Sequence, residues 1–245
     1  MTQLAHPDSA ACVAVLGGSF DPVHRGHVAL AELFTDLLRP DGLRILPAGR
    51  PWQKSALKTT DADRVAMLRL AFDGLPGVTI DLQEIERSSP TYTVETLRAL
   101  RAELGPATSI VFLMGADQLQ RLDTWRDWRS LFDLCNLGVA TRPGYALARE
   151  ALPAAVAEEL SGRLATPDAV RASAHGKVCL AQTLAVDISA TDIRAALGAR
   201  PDADADVDAN ADTGAAAGAG MHSELRALAP AQVLDYIQQH NLYKN

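Results

Sequence analysis

The chain has 245 residues, 48% of them hydrophobic, enough to bury roughly 70–75% of its unfolded surface in one sizeable core. No apolar run reaches the length of about 18 residues that a membrane span needs, the first residues lack the basic and apolar regions of a signal peptide, and Cys12, Cys135 and Cys179 are odd in number with no CxxC pair, which excludes a disulfide scaffold or a zinc ribbon. The net charge of −7 is concentrated, because five aspartates and no Lys or Arg lie between Pro201 and Gly220, so it does not argue against an anionic ligand, and no basic stripe points to nucleic acid. These features predict a cytoplasmic protein with buried, reduced thiols.

Cys12–Leu16 (CVAVL) is a short apolar run that ends in Gly17-Gly18, and Val28–Leu38 carries Leu30, Leu33, Phe34, Leu37 and Leu38 at helical spacing. That is strand, turn, helix. The unit recurs as Leu43–Leu46 before the helical Ala62–Phe72, and as Val78–Leu82 before the helical Val94–Leu104. Ser109–Met114 (SIVFLM) reads as a strand buried on both faces, and Cys135–Thr141 and Val178–Leu180 as further strands. Pro201–Gly220, with eight alanines, three glycines and five aspartates, offers almost nothing to bury and is predicted to be a disordered insertion that the fold tolerates. Pro230–His240 returns to helical spacing through Val233, Leu234 and Ile237. The alternation predicts an α/β fold: a Rossmann-like, mostly parallel sheet with helices on both faces, in a single domain over 1–245 with C-terminal helices.

The stretch LGGSFDPVHRGH joins the first strand to the first helix. A strand ending in Gly17-Gly18, with a helix starting near Val23, is where a parallel sheet presents backbone N–H groups and a positive helix end to an anion. Glycines there let a phosphate approach the backbone, Ser19 and Phe20 lead into a turn at Asp21-Pro22, and His24 and His27, three apart, share one face of the first helical turn. A purely structural glycine turn and half of a metal site are the competing readings. No Cys, Asp or His cluster supplies further ligands, so no protein metal site is predicted, and the absence of GxGxxG rules out the dinucleotide fingerprint.

GGSFDPVHRGH resembles the signature of the nucleotidylyl transferase superfamily, and ISATDIR (188–194) resembles its second element. Ser189 and Thr191 are natural helix caps, and Arg194 beside a helix N-terminus makes a phosphate clamp; an ordinary capped helix with a surface Arg is the alternative. Between the two motifs, EIERSSPTYTVETL (84–97) and FLMGADQLQRLDTWRDW (112–128) resemble the nicotinate-nucleotide adenylyltransferase family, with weaker support from ATRPG (140–144) and VLDYIQQHNLY (233–243). The resemblance implies that the nicotinate ring lies near Thr91, Tyr92 and Thr93 and against Trp125, where an indole face can stack on a pyridinium ring; a core or edge aromatic is the bland reading of Trp125. Gly115 and Asp117 follow a strand end, where Asp117 could meet ribose hydroxyls or cap the next helix. The chain departs from the family at Arg50-Pro51-Trp52-Gln53-Lys54, which keeps Lys54 as a phosphate contact but lacks the histidine common in relatives.

The activity so implied is adenylyl transfer from ATP to nicotinate mononucleotide in NAD biosynthesis. His24, His27 and Arg194 would be catalytic, and Gly17, Gly18, Ser19, Phe20, Lys54, Gly115, Asp117, Ser189 and Thr191 would bind ATP and its phosphates. Magnesium is expected to arrive on the phosphates. Partners are small molecules, with no nucleic acid and no membrane. Transfer to nicotinamide mononucleotide or phosphopantetheine, or non-catalytic nucleotide binding, remain alternatives, and oligomeric state is left open.

Overall fold

A computed structural model describes residues 11–50, 57–141, 151–182, 189–198 and 225–244. Six strands, β1 (Cys12–Gly18), β2 (Gly42–Pro47), β3 (Val78–Ile80), β4 (Ser109–Gly115), β5 (Asn136–Thr141) and β6 (Val178–Gln182), form one sheet in the order β3-β2-β1-β4-β5-β6. Every pairing is parallel. The order reverses between β1 and β4, whose register sets Leu16 beside Leu113. In a doubly wound sheet the crevice beyond the strand ends at that reversal is where ligands sit.

Alternation along the strands builds two apolar layers. Ala14 and Leu16, Leu43 and Ile45, and Val111 and Leu113 enter one layer with Phe34 and Leu38 of α1 (Arg25–Leu38) and with Met67 and Leu68 of α2 (Asp61–Ala71). Val15, Ile110, Phe112, Met114, Leu137 and Val139 enter the other with Leu97 and Leu100. Ser109 to Met114 are all buried, as a central parallel strand requires. Each fully buried Leu or Phe contributes roughly 1.5–3 kcal/mol, so these layers hold the sheet without disulfides. All three cysteines are buried thiols, and burial pushes Cys135 up to about 12.

The predicted elements recur with shifted ends. α1 starts three residues before the apolar stripe, because His24 caps it. β3 stops at Ile80 because the Asp81 carboxylate accepts from Gln83 N–H at 3.1 Å and starts α3 (Gln83–Glu86). Then come α4 (Thr93–Leu104), α5 (Ala116–Leu119), α6 (Leu131–Leu134), α7 (Ala154–Leu160), α8 (Pro167–Arg171), α9 (Ala190–Gly198) and α10 (Ala231–Gln239). The short helices α3, α5, α6 and α8 span five residues or fewer, too few for a helical period to show in sequence. Among the described residues no helix is long and apolar enough to cross a membrane. Lys54, Ile188 and the insertion 201–220 lie outside the described residues.

Candidate active site

At the C-terminal end of β1 the chain does not turn at its glycines. Gly17 and Gly18 are strand residues, paired with Leu46 and Pro47. A Cβ on Gly17 would lie 3.3 Å from the Phe112 ring, and one on Gly18 3.0 Å from the Phe20 ring, so both glycines serve packing as well as access. The turn follows at Phe20, whose φ of 49° is left-handed, and at the cis Asp21-Pro22 bond. A left-handed Phe costs roughly 1–2 kcal/mol. Burial of its ring, 1% exposed, offsets that.

His24 is the N-cap of α1 and His27 its third residue. Their rings stack at 3.7 Å between centroids, and the Phe20 ring meets His27 edge-on at 4.8 Å. The His24 backbone N–H donates to His27 Nδ1 at 3.2 Å. A neutral imidazole that accepts at Nδ1 carries its proton on Nε2, which makes that atom a donor. The sequence expectation that both rings share one face holds.

Arg194 comes from α9. Its Nη1 donates to the Asp21 carbonyl at 2.6 Å and its Nη2 to Thr191 Oγ1 at 3.1 Å, which joins the two sequence motifs at the same turn. Ser189 donates to Asp192 Oδ2 at 2.6 Å and accepts from Asp192 N–H at 3.1 Å. These two hydroxyls thus organise the start of α9, leaving the helix end and Arg194 to meet an anion.

Two supports were not legible in the sequence. The Asp21 carboxylate accepts from Lys58 N–H at 2.6 Å, Thr59 Oγ1 at 2.9 Å and Tyr243 Oη at 2.7 Å. Arg64 of α2, fully buried, donates from Nη1 to the Ser19 carbonyl at 2.9 Å and pairs with Asp61. A charged residue at the same helical stripe as Val65 and Leu68 is the signal that could have found Arg64. Among the described residues no group of three or more His, Cys, Asp or Glu could hold a metal, and the carboxylate nearest the histidines, Asp21, is already met by three donors.

β4 supplies the facing wall. A Cβ on Gly115 would stand 2.5 Å from Asp117 Oδ1, so the Asp117 carboxylate folds back over the strand end. It is exposed, and its Oδ2 accepts from Gln118 Nε2 at 2.7 Å. The N-cap of α5 is Gly115, without a side-chain bond, so Asp117 is not a cap. Thr91, Tyr92 and Thr93 lead into α4, with Tyr92 as N-cap and first-turn N–H groups facing outward. Trp125 stands edge-on to Phe112 at 6.1 Å, and Arg126 beside it lies 4.6 Å over the Tyr92 ring, so the two predicted nicotinate segments are neighbours. Thr91 Oγ1 and Trp125 Nε1 are buried without a hydrogen-bond partner among the described residues. A buried polar atom left open in this way is costly unless a ligand completes it.

Behind this pocket, Glu84 Oε1 accepts from Thr96 Oγ1 at 2.7 Å, tying α3 to α4. Burial raises the Glu84 carboxyl above its ordinary 4.5, with Thr96 and Arg87 opposing. A carboxyl with a raised native pKa binds its proton more tightly folded than unfolded. Its stabilising contribution is therefore complete below about pH 4.5 and is lost as pH rises through the raised value. Glu84→Gln keeps an acceptor for Thr96 and removes that loss. Its Tm relative to wild type should climb from pH 4.5 to pH 8, and a flat difference in thermal melts across that range would contradict the assignment.

A family model described as Cytidylyltransferase-like matches residues 15–196. The chain is 51% identical to a protein of Herminiimonas arsenicoxydans named "Probable nicotinate-nucleotide adenylyltransferase", over 96% of this chain and 97% of that one. It is 43% identical to a protein of the same name from Laribacter hongkongensis, over 95% and 94%. Among solved structures it resembles the Plasmodium falciparum nicotinic acid mononucleotide adenylyltransferase complexed with NaAD, at TM-score 0.66 and 17% identity over 95% of this chain and 97% of that one, a likeness of fold.

Proposed function

Since the chain belongs to the cytidylyltransferase-like family and, within it, to the nicotinate-nucleotide adenylyltransferases, we propose that it transfers the adenylyl group of ATP to nicotinate mononucleotide, releasing pyrophosphate and forming nicotinate adenine dinucleotide. The observation that carries this reading is the meeting of His24, His27 and Arg194 around the Asp21 turn, at the point where the sheet order reverses. The attacking group is the mononucleotide's own phosphate, ionised at neutral pH. The α-phosphate–oxygen bond to the leaving pyrophosphate breaks as the new one forms, and no enzyme base is needed.

The task of the chain is alignment and charge neutralisation. His27 Nε2–H donates to the α-phosphate where charge gathers, and His24 beside it meets the same group. Arg194, with the start of α9, holds the departing pyrophosphate, and Gly17, Gly18, Ser19 and Phe20 shape the floor. Gly115 and Asp117 take the ribose. Magnesium, carried on the triphosphate, supplies further neutralisation; this chain offers imidazole and guanidinium groups there rather than a carboxylate cage. Thr91, Tyr92 and Thr93 receive the nicotinate carboxylate at the α4 terminus, and Trp125 covers the ring.

Pyrophosphate release from ATP and Mg²⁺, with nicotinate mononucleotide, nicotinamide mononucleotide and phosphopantetheine offered separately, tests the reading. Preference for the first is expected. Silence with all three, from folded protein that still binds ATP, would replace it with a nucleotide-binding regulator. Trp125→Ala should raise KM for nicotinate mononucleotide about tenfold and leave KM for ATP nearly unchanged, the size of one desolvated ring contact.

A further inference from the structure

The C-terminal VLDYIQQHNLY has no task in the reaction described above, yet it reaches the phosphate loop. After α10, Asn241 and Tyr243 adopt left-handed φ values of 53° and 64°, which turn the chain back on itself, and Leu242 N–H closes on the Ile237 carbonyl at 3.0 Å. Leu242 and Tyr243 pack against the apolar layer of α1 and α2. The phenol of Tyr243 then donates to Asp21 Oδ1 at 2.7 Å. Burial, followed by the Asp21 carboxylate, holds that phenol well above its ordinary range, so it remains a donor at any physiological pH.

Asp21 is where three distant parts of the chain converge. Lys58 N–H and Thr59 Oγ1 hold its carboxylate from one side, Tyr243 from another, and Arg194 grips its backbone carbonyl. Only 5% of Asp21 is exposed. The residue before it, Phe20, places its ring edge on His27, and the chain after it runs through Val23 to His24. A shift of Asp21 would therefore move Arg194 relative to both histidines.

We propose that Tyr243 is a positioning residue for adenylyl transfer: its hydrogen bond to Asp21 fixes the Phe20–Asp21 backbone, so that Arg194 and the His24–His27 pair keep the spacing a triphosphate requires. The inference rests on the reaction proposed above. A misplacement of about 1 Å can cost 10²-fold in rate. Removing one of three donors from Asp21 loosens the turn without freeing it, so a loss of about tenfold is expected.

The test compares Tyr243→Phe with Tyr236→Phe in the full chain. Tyr236, on the same helix, donates to Asp63 Oδ1 at 3.0 Å and touches none of the phosphate-loop residues. Both variants keep the ring and lose one phenol bond to a carboxylate. Tyr243→Phe should lower kcat about tenfold with KM for nicotinate mononucleotide held within about twofold, and should weaken ATP binding, measured by calorimetry without the second substrate, several-fold. Tyr236→Phe should lower Tm comparably and leave kcat and ATP affinity as in wild type. Equal behaviour of the two variants in kcat and ATP affinity, whether both fall or neither does, would overturn the proposal. A wild-type protein that binds ATP but transfers nothing would sink the proposed reaction alone, and the calorimetric comparison would still decide the role of Tyr243.

Discussion

Replacing His27 by Ala is expected to lower kcat for pyrophosphate release by about 10²–10³, the cost of removing one preorganised donor from a charged transition state. Stability should fall by only about 1 kcal/mol, since the lost contacts are one cap-like bond from the His24 N–H and the edge of the Phe20 ring. The contrast separates chemistry from folding. KM for either substrate should change little, because the Nε2 donor acts where charge develops rather than where the ground state binds. Steady-state kinetics beside a thermal melt would decide the matter, and near-normal kcat in a folded variant would remove His27 from the mechanism.

Gly49→Ala is expected to destabilise the protein by about 3 kcal/mol, at the upper end of overpacking costs. A Cβ there would stand 2.1 Å from the Glu84 carbonyl oxygen and 2.8 Å from its carbon. Both are backbone atoms at the start of α3, so no rotamer change relieves the clash. α3 must move away from the end of β2, carrying Glu84 off Thr96 and disturbing the approach to Thr91 and Tyr92. Denaturant unfolding should report the loss, and a midpoint equal to wild type would mean that α3 sits farther from Gly49 than described. KM for nicotinate mononucleotide should rise in the same variant, because the displaced helix supports the predicted nicotinate segment.

The strands were legible where their residues are apolar on both faces. SIVFLM is the clearest case, since only a central parallel strand buries six consecutive positions. The histidine pair was legible because helical spacing alone puts residues three apart on one face. Its start was not, because the first turn of α1 is set by a backbone N–H meeting an imidazole nitrogen rather than by a Ser or Asp cap. Gly17 and Gly18 were read as a turn, whereas they continue β1 and make room for the Phe112 and Phe20 rings, a contact with no local pattern. The anchors of the site, Arg64 on Ser19 and Tyr243 on Asp21, span 45 and 222 positions. Periodicity and motif spacing report neighbours along the chain, so partners at such separation stay invisible until the sheet places them together.

The bond from Arg194 to the Asp21 carbonyl spans 173 positions. Contacts of high sequence separation are entropically late, because the intervening chain must be ordered before they close. A partly folded molecule can possess β1, its histidines and a formed first helix, yet lack the guanidinium beside them. Turnover in this protein is therefore a measure of finished folding. In a refolding experiment, activity should return with the slowest structural phase and not with the recovery of helical signal.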